Sequence, residues 1–159
     1  MRKEATIWTA LLLVLQCSTR LQLVQATDDS DEVMSMKMSE VVDLLTPFAQ
    51  NCDPVPEKSH LEEMVLNKEQ ASQQSKCFRR CLLMQFDVMP KDKLAYDGTK
   101  TIEMMNMMFP DKEEQSRTIT EKCNHGNGLA TECDNAHLIA MCMLDEMRKA
   151  GYKIPEIKE

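Results

Sequence analysis

The chain has 159 residues, a formal net charge of −7 at pH 7 and only 4% aromatic residues. This acidity argues against nucleic acid as a partner, because a nucleic-acid surface needs an excess of Lys and Arg. The length is sufficient for one domain with a single hydrophobic core.

The first 26 residues have the pattern of a secretory signal. Arg2 and Lys3 precede an apolar run over 7–15, which is shorter than the roughly 20 residues needed to span a bilayer. Val24 and Ala26 supply the small residues that signal peptidase reads. We expect cleavage after Ala26 and a secreted, extracellular chain of 133 residues. Because the signal carries a net charge of +2, the remainder has a net charge of −9. No second apolar run is long enough to insert into a membrane.

Apolar residues at helical spacing predict a single all-α domain over 27–159, with no sheet. Residues 27–37 are polar and are expected to form a flexible N-terminus, while residues 151–159 form a C-terminal tail. The predicted helices cover about 39–48, 59–66, 75–86, 99–108, 112–123 and 131–149. Proline or glycine follows most of them as a breaker.

Two of these helices have distinctive sequences. Ser59 and Glu62 have the spacing of a capping box, which predicts the start of the second helix at Ser59. The last helix has almost no polar residue between Ala136 and Leu144. A helix that is apolar all round is buried, so we expect the other helices to pack around this one.

The chain has seven cysteines, of which Cys17 leaves with the signal. An even number of cysteines in a short secreted chain indicates disulfides, and six cysteines allow 15 pairings. Cys77 and Cys81 lie one helical turn apart and should bond to other segments. Cys133 and Cys142 point to opposite sides of the last helix and should also have different partners.

Zinc is the competing interpretation of these cysteines. Cys77 and Cys81, and likewise Cys133 and His137, have the spacing of metal ligands on a helix. Behind a secretory signal, disulfides are favoured over thiolate ligands, and we expect no metal.

The full spacing is Cys52-x24-Cys77-x3-Cys81-x41-Cys123-x9-Cys133-x8-Cys142. It resembles that of the insect odorant-binding proteins, which include the pheromone-binding proteins. The x3 and x8 intervals are the specific parts, and the resemblance covers the whole of residues 27–159. It implies the disulfides Cys52–Cys81, Cys77–Cys133 and Cys123–Cys142. It also implies an internal apolar cavity formed by the first helix and the last three, often with help from the tail.

Methionine is abundant, with 13 of 14 residues remaining after the expected signal. Unbranched thioethers adapt to varied shapes, so a Met-rich interior suits a deformable cavity for apolar ligands. Part of the Met104–Phe109 segment is expected to line that cavity. Helical phase predicts the ligand-binding residues Leu45, Phe48, Met64, Phe86, Met104, Met105, Met108, Phe109, Ile119, Leu138, Met141 and Leu144. Tyr152 and Ile154 are added from the tail, which either enters the cavity or lies over the surface.

Histidine is the side chain that titrates between pH 5 and 8. The resemblance implies release of ligand on acidification in some relatives. His60 in the second helix and His137 in the last are therefore the candidates for a pH switch.

The resemblance implies a secreted carrier that binds and solubilises small hydrophobic ligands, such as odorants or pheromones, and delivers them to olfactory receptors. The alternative is the same fold used as a carrier, sequestering or interaction protein in haemolymph, saliva or reproductive fluid. The sequence lacks a serine elbow, a zinc helix motif and the His-Asp pair of secreted phospholipases. We therefore expect no enzymatic activity and no cofactor. The expected partners are a small apolar ligand and a receptor, and the expected state is a monomer or weak homodimer.

Overall fold

The structure is a computed structural model that describes residues 35–158. The expected signal, its cleavage site and residues 27–34 of the expected flexible N-terminus lie outside the described residues, as does Glu159. The elements in chain order are β1 Ser35–Lys37, α1 Met38–Ala49, α2 Lys58–Val65, α3 Gln73–Gln85, α4 Gly98–Met108, α5 Glu113–Cys123, α6 Glu132–Lys149 and β2 Glu156–Lys158. A 3-10 turn, Pro110–Lys112, precedes α5. The predicted all-α fold with six helices is confirmed.

Side-chain caps explain where three of the helices begin. Ser72 caps α3, Asp97 caps α4 and Thr131 caps α6, and each side-chain oxygen accepts a hydrogen bond from the backbone N–H three residues on. Such caps satisfy N–H groups that have no partner inside the helix. The predicted boundaries of these helices are therefore within two residues of the observed ones.

The start of α2 differs from the prediction at Ser59. Glu57 is the N-cap residue, and its backbone N–H donates to His60 Nδ1 at 3.2 Å. Glu62, expected to cap the helix, forms an i,i+4 ion pair with Lys58 at 3.7 Å instead. The prediction of a capping box at Ser59 is wrong, because the extended residue that precedes the helix is Glu57 and the helix already begins at Lys58.

A two-stranded parallel sheet joins the two ends of the described chain. Met36 of β1 pairs with Ile157 of β2, and both side chains are half-buried. The sequence predicts no sheet, because strands of three residues are too short to show an alternating pattern. Ser35–Lys37, assigned there to the flexible N-terminus, are therefore part of a paired strand.

The helices bury two separate hydrophobic clusters. The first cluster lies between α1, α2 and α3, and includes Val42, Leu61 and Phe78. The second cluster lies between α4, α5 and α6, and includes Met105, Ile119, Ala136, Ile139 and Met143. Helix α3 packs against α6.

Helix α6 contributes a buried face to the second cluster through Ala136, Ile139 and Met143. The expectation that this helix is buried on every side is wrong at Leu138, which is 52% exposed. The neighbouring helices α3 and α5 cover only part of its circumference.

Three disulfides connect the helices. The bonds are Cys52–Cys81, Cys77–Cys133 and Cys123–Cys142, with Cα–Cα distances of 5.9, 4.5 and 5.6 Å. They join the segment after α1 to α3, α3 to α6, and α5 to α6. These are the pairs that the resemblance implied, and they leave none of the six sulfurs as a free thiolate for zinc.

Candidate functional site

The residues predicted to bind ligand are divided between the two clusters. Leu45, Phe48 and Met64 lie in or against the first cluster. Met104, Met105, Phe109, Ile119, Tyr152 and Ile154 lie in or against the second. Helical phase groups apolar residues on one side of each helix, but it does not show that two groups of helices bury them separately.

The remaining predicted residues are less buried. Phe86 packs its ring 5.2 Å from that of Phe48, yet it is more than half exposed. Met108 and Leu138 are also more than half exposed, and Met141 and Leu144 are half-buried on α6. The structure therefore does not collect the fourteen predicted residues around one enclosed space.

The C-terminal tail turns back into the protein at Tyr152, which is only 6% exposed. Its ring packs edge-on against Phe109, with 4.9 Å between the ring centroids. Its hydroxyl oxygen lies 3.1 Å from Ser116 Oγ and 3.3 Å from the carbonyl oxygen of Lys112. The first part of the tail is thus held in the second cluster.

Beyond Tyr152 the tail forms one wall of an open groove of about 590 Å³. We call it the terminal groove; it is lined by Val65, Leu66, Asn67, Arg148 and residues 151–157. Its volume lies within the range of about 300–1,000 Å³ that is typical of small-molecule sites. Tyr152 and Ile154, both predicted from the tail, are among its lining residues.

The other apolar residues of the groove were not predicted. Val65 and Leu66 lie at the end of α2, while Pro155 and Ile157 lie in the tail. The sequence pattern could not predict them as a group, because no helical period places the end of α2 beside the tail.

Polar contacts fix the wall of the groove at Asn67. Its backbone φ is 50°, and its side-chain oxygen accepts a hydrogen bond from Arg79 Nη2 at 2.9 Å. The same Arg79 nitrogen donates to the carbonyl oxygen of Met64 at 3.0 Å. Burial lowers the pKa of the Arg79 guanidinium. Through its two hydrogen bonds, the partly buried Arg79 anchors the end of α2 to α3.

His137 contacts the segment that follows Asn67 and connects α2 to α3. Its Nε2 lies 3.0 Å from the carbonyl oxygen of Glu69, and the residue is buried. Burial lowers the pKa of His137, and the nearby cations Arg79 and Lys76 act in the same direction. His137 is thus a buried residue that contacts the connector between α2 and α3, and it is not among the residues that line the terminal groove.

His60 lies in a different depression of about 290 Å³, beside the Cys52–Cys81 disulfide and the ring of Phe78. Its Nδ1 accepts the hydrogen bond from Glu57 that caps α2. The two histidines are thus placed in separate parts of the protein.

Comparison with known proteins agrees with this helical, disulfide-linked architecture. The model of the PBP/GOBP family matches residues 34–146. The chain belongs to the PBP/GOBP family. Members of this odorant-binding family bind small hydrophobic ligands, and the chain is a small hydrophobic ligand-binding protein. The family and the structural neighbours are binding proteins and not enzymes, and the family is secreted.

Two solved structures share the fold of this odorant-binding family member. The odorant-binding protein dmelOBP28a from Drosophila melanogaster is 20% identical, with a TM-score of 0.52 over 72% of this chain and 92% of that chain. The fatty acid binding protein OBP56a from the oral disk of the blowfly Phormia regina is 15% identical. Its TM-score is 0.50 over 70% of this chain and 90% of that chain.

No curated protein sequence matches the chain. Among residues 35–158 there is no helix long and apolar enough to cross a membrane.

Proposed function

We propose that the protein is a secreted carrier that takes up small hydrophobic ligands from an aqueous fluid and delivers them to olfactory receptors. The observation that carries this proposal is the terminal groove, an open depression in which apolar side chains from the end of α2 and the tail lie beside polar and charged ones. A family of ligand-binding proteins and a frame of three disulfides support it.

The proposed mechanism is burial of apolar surface without chemistry. The groove offers Val65, Leu66, Ile154, Pro155 and Ile157 to an apolar ligand. Covering about 300 Å² of ligand surface contributes about 7 kcal/mol at roughly 25 cal/mol per Å². Immobilising the ligand offsets part of this, so burial alone should give dissociation constants no tighter than about 10 μM, the value that corresponds to about −7 kcal/mol.

Fluorescence titration with N-phenyl-1-naphthylamine tests the proposal. An external probe is needed because Trp8, the only tryptophan, lies in the expected signal. We expect the oxidised protein of residues 27–159 to bind the probe, and volatile and long-chain apolar compounds to displace it. Absence of probe binding by correctly oxidised protein would overturn the carrier function.

A pair of variants locates the site. Leu66 is partly exposed in the groove, so Leu66→Glu places a charge there without disturbing the core. We expect at least tenfold weaker probe binding, because an ionised carboxylate must lose water when the ligand covers it. Leu129→Glu is the matched control, since Leu129 is 99% exposed and does not line the groove. Equal affinity of the two variants would place the ligand elsewhere.

The alternative function is a carrier or sequestering protein in haemolymph, saliva or reproductive fluid. One neighbour of the fold is named for odorants and the other for fatty acids and the oral disk, so both settings are compatible with this architecture. Antibody localisation separates the two. Staining of the fluid around olfactory neurons supports delivery to receptors, whereas staining confined to another gland or fluid supports the alternative.

A further inference from the structure

Arg148 stands out among the residues of the terminal groove. Its side chain is exposed, and within residues 35–158 its guanidinium has neither an ion pair nor a hydrogen bond. The acidic residues next to it on α6 are already paired. Asp145 pairs with Lys149 at 2.5 Å, and Glu146 pairs with Lys122 at 2.6 Å. Arg148 is thus a cation that the local carboxylates leave without a partner.

The net charge of the groove lining is opposite in sign to the net charge of the chain. Arg148 and Lys153 contribute two positive charges to its lining, and Glu156 contributes one negative charge. Lys153 already has an interaction of its own. The groove is therefore locally cationic in a chain whose net charge is −7, and Arg148 is its available charge.

Apolar side chains adjoin this cation. Leu66 lies on the α2 wall, and Ile154 and Ile157 lie on the tail wall. A guanidinium recognises a carboxylate through two parallel N–H donors, which a neutral alcohol or ester cannot match. The lining as a whole therefore fits a molecule with an anionic head and an apolar chain.

We propose that the terminal groove selects amphiphiles with a carboxylate head, and that Arg148 pairs with this head while the chain lies on the apolar walls. This inference rests on the proposed function, because it names the ligand class of the same groove. It makes Arg148 a specificity residue whose loss affects carboxylates and leaves neutral ligands bound.

Competition with matched ligands tests the role of Arg148. Dodecanoic acid and dodecanol have the same chain and differ in the head group. Each displaces N-phenyl-1-naphthylamine from the oxidised protein at pH 7.5. We expect Arg148→Gln to lower the preference for acid over alcohol by about three- to fivefold, the range of a partly exposed ion pair. The affinity for dodecanol stays within twofold, and Arg148→Lys keeps part of the preference.

Arg117→Gln is the matched control, since Arg117 is exposed on α5 and does not line the groove. We expect it to leave the preference unchanged, because Arg117 does not line the groove and solvent ions screen an exposed charge. An equal loss in the two variants would mean that only net charge matters, and would overturn the inference.

The outcomes separate the inference from the proposed function. If dodecanol and the probe bind but Arg148→Gln leaves the acid preference unchanged, the inference is wrong and the carrier function stands. If neither the probe nor dodecanol binds, the carrier function itself is wrong. Raising the NaCl concentration to about 0.5 M should reduce the acid preference of the unmodified protein and leave dodecanol binding unaffected.

Discussion

Substitutions at Tyr152 separate the packing of the C-terminal tail from its hydrogen bonds. Tyr152→Phe removes a hydroxyl that lies 3.1 Å from Ser116 Oγ and 3.3 Å from the Lys112 carbonyl. Ser116 Oγ keeps a partner, because it also donates to that carbonyl at 3.0 Å. We therefore expect a loss of about 1 kcal/mol in the free energy of unfolding, the usual value for one hydrogen bond.

Tyr152→Ala also removes the ring that packs on Phe109. Truncating a buried aromatic side chain costs about 3–5 kcal/mol. Without this anchor the tail should leave the second cluster and β2 should separate from β1. The groove then loses a wall, so probe affinity should fall in Tyr152→Ala and stay nearly unchanged in Tyr152→Phe.

Guanidinium denaturation of the oxidised protein measures the stability, and probe titration measures the groove. Leu129→Ala serves as the control and should change stability by less than about 0.5 kcal/mol, because its side chain is 99% exposed. A loss below about 1 kcal/mol in the free energy of unfolding of Tyr152→Ala would refute the reasoning, since removal of a ring buried in the core should destabilise the protein by more than that. Equal losses for the two variants would assign the effect to the hydroxyl.

Three further predictions concern stability. Burial lowers the pKa of His137 below 6.5, so at mildly acidic pH the unfolded chain binds more protons than the folded one. The free energy of unfolding should therefore fall between pH 7 and pH 5.5. This fall should be smaller in His137→Gln. The Asn135 side chain donates to three backbone carbonyls and accepts from the Asn127 N–H, so Asn135→Ala should lose about 2–4 kcal/mol in urea denaturation. Removing the bond between Cys77 and Cys133, 56 residues apart, should cost about 4 kcal/mol in the same assay.

Each of these predictions has a clear contrary result. A pH dependence that is the same with and without His137 would assign the effect to other groups. Asn51→Ala is the control for Asn135→Ala, because the Asn51 side chain is exposed and its hydrogen bonds are long, at 3.4 Å. Similar losses in the two variants would contradict the importance of burial. Unaltered stability without the Cys77–Cys133 bond would contradict the expectation that this bond stabilises the protein mainly by restricting the unfolded chain.

The helices could be predicted from the sequence because their signals are local. Apolar period, caps such as Thr131 and breakers such as Pro110 act within a few residues. Which other elements pack against a helical face is not determined by residues nearby in the sequence. Leu138 and Ile139 are adjacent in an apolar run, yet one is more than half exposed and the other buried, because the covering helices lie on only one side.

The terminal groove was only partly predictable for a related reason. Helical phase cannot bring Leu66, at the end of α2, beside Ile154 in the tail, because no period links them. Tyr152 and Ile154 were predicted as apolar residues of the tail. The pairing of Met36 with Ile157 was missed, since three-residue strands carry no pattern and their partner lies at the other end of the described chain.

The order of the disulfides along the chain determines what a protease can remove. The three bonds overlap, so together they span every peptide bond between Cys52 and Cys142. A single cut in that span leaves two pieces that still migrate as one on a non-reducing gel. A cut after Lys149 instead releases the tail, which is held by packing, hydrogen bonds and backbone pairing and by none of the three disulfides. Limited trypsin digestion thus distinguishes the disulfide-linked part of the protein from the C-terminal tail that forms one wall of the groove. A bound ligand that contacts the tail should slow its release.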